Sequence, residues 1–309
     1  MDAGAIIVGK AKLQAMIMRE EPLECVEFTA PFNPCGDGCH GSQVPSGSSH
    51  GSAAAIGSDD WLDFFIGSDT NGTGRKPAHY NGCFSIRPST GIMNTKGVIG
   101  QFACMPPRLG ERRINANFSR RIVILYPSDY LPTVNPAQTA LIDKYVKSLE
   151  AALQVSRTHI SLADLWKEQC PDGPENATLQ NILSSYTGGY PYNRDAYYDF
   201  EGFRNNYTKK YGKPPFTHRA MQWQWNVAKT ISATERDFYW RRSELYRHWL
   251  LEKDFEADNK ECITIMIFPI EVGKPSYRDV ELPPYYILSG YASLHMSPMM
   301  RAPELTAIG

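Results

Sequence analysis

Two short segments rich in glycine and hydroxyl side chains are the first candidates for chemistry. Residues 46–55 have the sequence SGSSHGSAAA, and residues 67–78 have the sequence GSDTNGTGRKPA. Small residues at this density let backbone segments approach closely, and a glycine-rich turn after a predicted strand lets backbone N–H groups converge on a ligand. The second turn lacks the Lys-Ser/Thr ending of a Walker loop and the glycine spacing of a dinucleotide-binding fold. A phosphate-binding protein is therefore a weak alternative.

Four motifs, in order along the chain, resemble those of the amidase signature family. Residues 46–55 and 67–78 are similar to the family's G-G-S-S-[GS]-G-S-A-A-A and G-T-D-T-G-G-S-x-R-x-P-A. Residues 3–10 (AGAIIVGK) and 81–91 (NGCFSIRPSTG) are similar to A-G-A-x-x-[LV]-G-K and N-G-x-x-G-[LI]-[KR]-P-[ST]-x-G. One glycine-rich match alone would be weak, whereas four in the correct order are specific. The resemblance covers roughly the first third of the chain.

The resemblance implies hydrolysis of a small-molecule amide by a Ser-Ser-Lys triad, with no metal or cofactor. By position, Thr73 corresponds to the nucleophile and Ser48 to the serine that relays its proton to the lysine. The backbone N–H groups of Thr70, Asn71 and Gly72, with that of Thr73, correspond to the donors that stabilise the tetrahedral oxyanion. In the family the relay serine is held by a cis peptide bond, which a rigid scaffold of small residues must enforce.

Three departures from the family pattern bear on activity. Thr73 replaces a serine, so its β-methyl group crowds the attack and restricts χ1, and Asn71 stands where glycine is usual. The family's catalytic lysine lies farther upstream of the relay serine than position 48 allows, and neither Lys10 nor Lys12 corresponds to it. Lys76 and Lys96 are near in sequence without matching it. Residues 105–110 resemble a turn in fungal-type relatives, but the helical stretch expected after it is missing.

These departures leave two functional hypotheses open. The first is an amide-bond hydrolase with a Ser/Thr nucleophile, inactive as given if the lysine is absent. The second is a non-catalytic amidase-like protein that binds a ligand or partner. His50, beside the relay serine, is a weaker candidate for a substitute base. The loose cluster of Cys25, Cys35, Cys39 and His40 lacks the paired spacing of a zinc site, so we expect no metal there.

Composition limits the partners and the compartment. The 32 basic and 33 acidic residues give a net charge of −1, which predicts no general attraction to nucleic acid or anionic lipid. The apolar runs fall far short of the roughly 20 residues that span a bilayer. The chain begins without the basic and apolar regions of a signal peptide, so we expect a cytoplasmic protein with no membrane span. The oligomeric state stays open.

The elements predicted around the motifs indicate an α/β fold, with a mixed sheet flanked by helices. Strands are expected at 5–8, 61–66, 121–126 and 263–268, and helices after Gly51, from Asn135 to about Leu153, and from Ser232 to about Glu252. Residues 170–216 are rich in Tyr, Gly, Pro and Asn and are predicted to be irregular. We expect residues 1–309 to form a single, partial amidase-like domain, with the signature core in 1–100 and a diverged remainder in 101–309.

Overall fold

The structure is a computed structural model that describes residues 4–12, 31–93, 120–169, 177–253, 262–280, 284–287, 290 and 292–307. Helices α1 (His50–Ser58) and α2 (Arg75–Tyr80) each follow one of the two glycine-rich loops, and strand β1 (Ser85–Arg87) comes next. The start of α1 beside Gly51 confirms the first predicted helix. The turn predicted at 105–110 lies outside the described residues.

A three-stranded parallel sheet forms the second structural unit of the chain. Its strands are β2 (Arg121–Pro127), β3 (Arg157–Ile160) and β4 (Cys262–Met266), in the order β3-β2-β4. Helix α3 (Pro136–Leu153) connects β2 to β3 and covers one face of the sheet, where Ile124 and Val146 are completely buried. Strands β2 and β4 and helix α3 confirm three predictions. Asn135 caps α3 as predicted, because its side chain accepts N–H bonds from Ala137 and Gln138.

The helical part of the chain is larger than the sequence predicts. It contains α4 (Leu162–Gln169), α5 (Leu179–Ile182), α6 (Ser185–Asp199), α7 (Glu201–Tyr211), α8 (Arg219–Thr230) and α9 (Ala233–Lys253). The prediction of an irregular segment over 170–216 is therefore wrong for α5 to α7. Helix α6 packs against α8 and α9, and this tertiary packing outweighs the low helix propensity of its glycines and Pro191.

Helix α9 begins at the predicted capping box. The Ser232 N–H donates to Glu235 Oε2 at 2.9 Å, and the Glu235 N–H donates to Ser232 Oγ at 3.1 Å. Trp249 is buried, whereas Phe238, near the start of the same helix, is 46% exposed. The core around Trp249 includes side chains of α4, α5, α9 and helix α10 (Met296–Met300).

The end of the chain pairs with the glycine-rich region at its beginning. Strand β5 (Glu304–Thr306) lies antiparallel to β1, with Ser85 opposite Thr306 and Arg87 opposite Glu304. The mixed α/β character expected from the sequence is confirmed, but the described strands form two small separate sheets rather than one mixed sheet. None of the described helices has the length and apolar character needed to cross a membrane.

Two predicted strands are not formed. Residues 5–8 and 61–66 have no regular secondary structure, and most of their apolar side chains are exposed. The exposed fractions are 86% for Ile6 and 73% for Ile66. A short apolar run only becomes a strand when a neighbouring strand accepts its backbone hydrogen bonds, and no described strand pairs with either run.

Candidate active site

The second glycine-rich loop, residues 67–74, folds around the carboxylate of Asp69. The Gly72 N–H donates to Asp69 Oδ1 at 2.7 Å, and the N–H groups of Gly74 and Arg75 donate to Oδ2 at 3.1 and 3.0 Å. Gly72 has φ +100°, and a Cβ atom there would lie 2.6 Å from Leu294 Cδ2. A side chain at position 72 would therefore be strained by the positive φ, and it would also require the Leu294 side chain to move.

Arg75 ties this loop to the end of the chain. Its fully buried side chain donates to Asp69 from Nε at 2.9 Å and from Nη2 at 3.1 Å, and Nη1 donates to Glu304 on β5 at 2.6 Å. Burial alone would raise the pKa of Asp69, but the hydrogen bonds and charge of Arg75, with the loop N–H groups, hold this pKa below its ordinary value. Asp69 and Arg75 lie inside the matched motif, yet the sequence alone assigns them no role.

The first glycine-rich loop turns sharply just before Ser48. Ser46 and Gly47 have φ values of +59° and +60°, and the His50 ring Nδ1 lies 2.8 Å from the Gly47 carbonyl oxygen. Leu131–Pro132 is the one cis peptide bond in the described part of the chain. The bond before Ser48 is therefore trans, unlike the cis bond that the family resemblance implies. The positive φ values make the turn instead.

The two loops lie side by side, as expected from the motifs. The Ser49 N–H donates to the Thr73 carbonyl oxygen at 3.3 Å, and a Cβ atom on Gly47 would lie 3.5 Å from Thr73 Cα. The hydroxyls, however, do not form the expected Ser48–Thr73 hydrogen bond. The Thr73 hydroxyl donates to the Ser68 carbonyl oxygen at 2.8 Å, while Ser48 Oγ is buried without a hydrogen-bond partner among the described residues.

The motif comparison assigns no role to Ser49, yet Ser49 is linked to Thr73 more directly than Ser48 is. Its hydroxyl donates to the same Ser68 carbonyl oxygen at 3.1 Å and accepts the Ser68 N–H at 3.1 Å. Ser49 also occupies the N-cap position of α1, without a capping side-chain hydrogen bond, and it lines the cavity described below, which Ser48 does not. The sequence signal that could have identified Ser49 is its position next to the relay serine, in a run of two serines.

Several backbone N–H groups of the second loop are not used within the fold. Among the described residues, none accepts a hydrogen bond from the N–H of Thr70, Asn71 or Thr73. The Gly72 N–H, by contrast, is held by Asp69 and does not face a ligand. Asn71 has a negative φ, so its replacement of the usual glycine causes no backbone strain.

No described lysine makes a hydrogen bond with Ser48 Oγ. Lys76 Nζ forms an ion pair with Glu271 Oε1 at 2.9 Å, and neither Lys10 nor Lys12 makes a hydrogen bond with Ser48 Oγ. Lys96 lies outside the described residues, as does Cys25 of the loose cysteine cluster. Within the described ranges, His, Cys, Asp and Glu side chains form no group of three or more that could hold a metal ion.

A cavity of about 1580 Å³ opens beside the second loop. Thr70 and Asn71 line it, but Ser48 and Thr73 do not. Its near wall is apolar and strongly exposed, with side chains that include Phe64, Ile66, Phe84, Ile86 and Met93. The far wall is formed by residues of α6, α9 and α10. The shape admits a substrate with an apolar body next to the unused N–H groups.

Comparison with known proteins supports the resemblance to the amidase signature family. Residues 1–106 match the protein-family model described as Amidase. Amidase 1 of Oryza sativa subsp. japonica is 39% identical over 99 residues, which are 31% of this chain and 22% of the rice protein. A glutamyl-tRNA(Gln) amidotransferase subunit of Lactobacillus delbrueckii is 34% identical over 157 residues, or 49% of this chain and 31% of that protein. The chain thus spans about a fifth to a third of the length of these curated relatives.

Solved structures extend the likeness beyond the matched third. A glutamyl-tRNA(Gln) amidotransferase subunit from Thermotoga maritima has a TM-score of 0.66 at 16% identity, covering 99% of this chain and 67% of its own. A 6-aminohexanoate cyclic dimer hydrolase has a TM-score of 0.58 at 14% identity, covering 89% and 62%. At this identity the likeness shows the fold alone. Residues 1–106 of this chain therefore match the amidase family model, and the described fold is similar to that of solved amidase signature enzymes.

Proposed function

We propose that this chain takes part in the cleavage of an amide bond, by hydrolysis or amide transfer, with Thr73 as the nucleophile. The observation that carries the proposal is the composition of one loop: a hydroxyl at Thr73 and three N–H groups without acceptors among the described residues, at Thr70, Asn71 and Thr73. A hydroxyl beside convergent N–H donors is the arrangement that acyl transfer needs. The adjoining apolar cavity favours a small-molecule amide as the substrate.

In the proposed reaction, Thr73 Oγ1 attacks the carbonyl carbon of the amide. A C–O bond forms, the carbonyl oxygen becomes an oxyanion, and the N–H groups of Thr70, Asn71 and Thr73 stabilise it. The C–N bond then breaks, and the amine leaves with the proton that Thr73 gave up. Water, or an acceptor amine in amide transfer, releases the acyl group from Thr73. Gly72, first expected as an oxyanion donor, contributes through its positive φ, since Asp69 holds its N–H.

Ser48 is the proposed relay for the proton of Thr73. Its hydroxyl is buried and has no partner among the described residues, so it can accept a hydrogen bond once Thr73 turns away from the Ser68 carbonyl. Rotation about χ1 of Thr73 is the movement this requires. The relay ends on a base other than Lys10, Lys12 or Lys76, because none of these makes a hydrogen bond with Ser48.

We also propose that the signature core and the rest of the chain form one domain. The pairing of β1 with β5 and the Arg75–Glu304 ion pair both join residues of the matched segment to the end of the chain. A boundary near residue 100 would have to break both of these contacts, one of them buried.

The proposal is tested by measuring amide cleavage with a panel of acetanilide, benzamide and hexanamide. We expect the full chain to release aniline or ammonia, and the variant Thr73→Ala to lose this activity. The matched control is Thr230→Ala, because the Thr230 hydroxyl also donates to a backbone carbonyl, at 2.8 Å, but lies on the exposed end of α8. The control should keep the parent rate.

A covalent readout separates the nucleophile from residues that only support it. With p-nitrophenyl acetate, an acetyl group should be trapped on Thr73 and detected by peptide mass spectrometry. Release of no amine or ammonia from any of the three amides would contradict the proposal. So would a Thr73→Ala variant that is as active as the parent.

A further inference from the structure

A second cavity, of about 720 Å³, lies between helices α6, α7 and α8 and the loop that joins α7 to α8. It shares no lining residue with the cavity beside the glycine-rich loops. Three of its lining side chains are cationic, namely Arg204, Lys213 and Lys229, and none of its lining residues is acidic. The cavity therefore has a concentrated positive charge in a chain whose net charge is only −1.

These three cations differ from three arginines elsewhere in the fold in having no carboxylate partner within the described ranges. Among the described residues, no carboxylate oxygen lies within ion-pair distance of Arg204, Lys213 or Lys229. By contrast, Arg75, Arg157 and Arg236 are each paired with a carboxylate. Cations that line one cavity without a carboxylate partner raise the local positive potential and attract an anion from solution.

Arg204 is held in one orientation by aromatic rings. Its guanidinium carbon lies 3.7 Å from the centre of the Tyr197 ring and 4.9 Å from that of Trp225, and Nη1 donates to the Tyr197 carbonyl oxygen at 2.5 Å. The remaining N–H groups of this guanidinium have no acceptor in the described part of the chain. A planar fork fixed in this way binds a carboxylate or phosphate with little loss of side-chain entropy.

Aromatic side chains also line this cavity. Phe216 is 71% exposed, and Tyr207 is a further lining residue, whose ring contacts those of Phe203 and Tyr211. An exposed phenyl ring and a fixed guanidinium that line the same cavity offer one apolar surface and one anion-binding group. A ligand with only one of these features would leave the other unused.

We propose that this cavity is a binding site for a small aromatic anion. The ring of the ligand packs on Phe216 and Tyr207, and its carboxylate or phosphate pairs with Arg204, Lys213 and Lys229. The site is separate from the proposed amide-cleaving loop, because no residue lines both cavities. It is therefore independent of whether Thr73 is a nucleophile.

Calorimetric titration with matched probes tests the proposal. Benzoate and AMP are the aromatic anions, benzamide and adenosine have the rings without the charge, and acetate and inorganic phosphate have the charge without the ring. We expect benzoate or AMP to bind at least roughly tenfold more tightly than both of its counterparts. Binding of benzoate alone would identify a carboxylate site, and binding of AMP alone would identify a phosphate site.

Variants locate the binding on the three cations. Arg204→Gln should raise the dissociation constant roughly tenfold, and Lys213→Gln or Lys229→Gln several-fold, with Lys229→Arg restoring it. Lys213 and Lys229 are exposed, so substitution at these two positions leaves the fold intact even if Arg204→Gln does not. Lys144→Gln, on the exposed face of α3, is the matched control and should bind as the parent does.

Three outcomes would overturn the proposal: no binding of either aromatic anion at millimolar concentration, equal binding of adenosine or benzamide, or unchanged affinity in all three glutamine variants. Thr73→Ala should retain the parent affinity. A loss of binding in Thr73→Ala would show that the ligand occupies the amide-cleaving site instead.

Discussion

Arg75 donates to both carboxylate oxygens of Asp69, and neither side chain is open to solvent. The same carboxylate accepts three backbone N–H groups of the loop that carries Thr73. A single buried ion pair thus sets the shape of the loop in which chemistry is proposed. The two partners are only six residues apart in sequence, so these contacts are local to the loop.

Removing the charge of Asp69 should destabilise the protein strongly. In Asp69→Asn, Arg75 stays buried with Glu304 as its remaining carboxylate, and the loop N–H groups lose an anionic acceptor. We expect the free energy of unfolding in urea to fall by about 3 kcal/mol. The matched control is Asp237→Asn, which removes an exposed partner of Arg236 and should cost less than about 1 kcal/mol. Similar losses in the two variants would contradict the structural role given to Asp69.

The same ion pair predicts how stability depends on pH. Because the pKa of Asp69 is lower in the folded than in the unfolded chain, its contribution is fully present above the unfolded pKa of about 3.9. The contribution is lost as the pH falls through the lower folded pKa. Urea unfolding of the parent and Asp69→Asn should therefore differ most near pH 6 and converge below about pH 3.9. A difference that stays constant down to about pH 2.5 would refute the assignment.

Gly72→Ala should cost more than the same change at another left-handed glycine. Gly82 has φ +63°, and a Cβ atom added there would meet nothing within 4 Å, so Gly82→Ala measures the backbone cost alone, about 1 kcal/mol. At Gly72 the new methyl group also meets Leu294, which should add about 1 kcal/mol or more. Chemical denaturation of the two variants measures the difference, and Leu294→Ala in the Gly72→Ala background should recover part of it. Equal costs would show that Leu294 moves aside freely.

Thr73→Ser should accelerate amide cleavage. Serine keeps the hydroxyl and removes the methyl group that restricts χ1, which eases the rotation away from the Ser68 carbonyl. We expect the rate to rise by about an order of magnitude, or roughly 1.4 kcal/mol of barrier. The acetanilide assay measures it, with Thr230→Ser as the control. Unchanged rates would show that the threonine side chain is already suited to the site.

Ser49→Ala should alter activity although the family motif gives Ser49 no role. Without its hydroxyl, the Ser68 carbonyl keeps only the bond from Thr73, and the Ser68 N–H loses its acceptor. The Thr73 hydroxyl is then held more firmly in its resting position, so cleavage of acetanilide should slow several-fold. Ser52→Ala, which removes a weaker bond to the Ile66 carbonyl at 3.3 Å, is the control. A Ser49→Ala rate equal to that of the control would remove Ser49 from the mechanism.

The elements predicted correctly are those with local signals. Asn135 before a proline marks the start of α3, and the Ser232–Glu235 capping box marks the start of α9. The failures concern segments whose structure depends on distant partners. Residues 5–8 have the composition of a strand but no described strand pairs with them, and α6 forms in spite of Pro191 because α8 and α9 pack on it.

The candidate site was predictable only as far as the motifs reach. They predict that the Ser48 and Thr73 loops adjoin, and the backbone bond from Ser49 to Thr73 confirms this. They do not predict which hydroxyl bonds to which carbonyl, because that depends on side-chain rotamers and on the trans peptide before Ser48. The role of Glu304 as a partner of Arg75 could not be predicted from the sequence, because nothing near Glu304 indicates a contact with the loop.

The contact between Arg75 and Glu304 joins residues 229 positions apart. During synthesis, at about 5–20 residues per second, a nascent chain that already contains the whole of the glycine-rich region must wait on the order of 10 to 45 seconds for Glu304. Throughout that interval the arginine has only Asp69 as a counter-charge, and β1 has an open edge. Residues 85–87 therefore have no β5 to pair with until nearly the whole of the sequence between them has been synthesised.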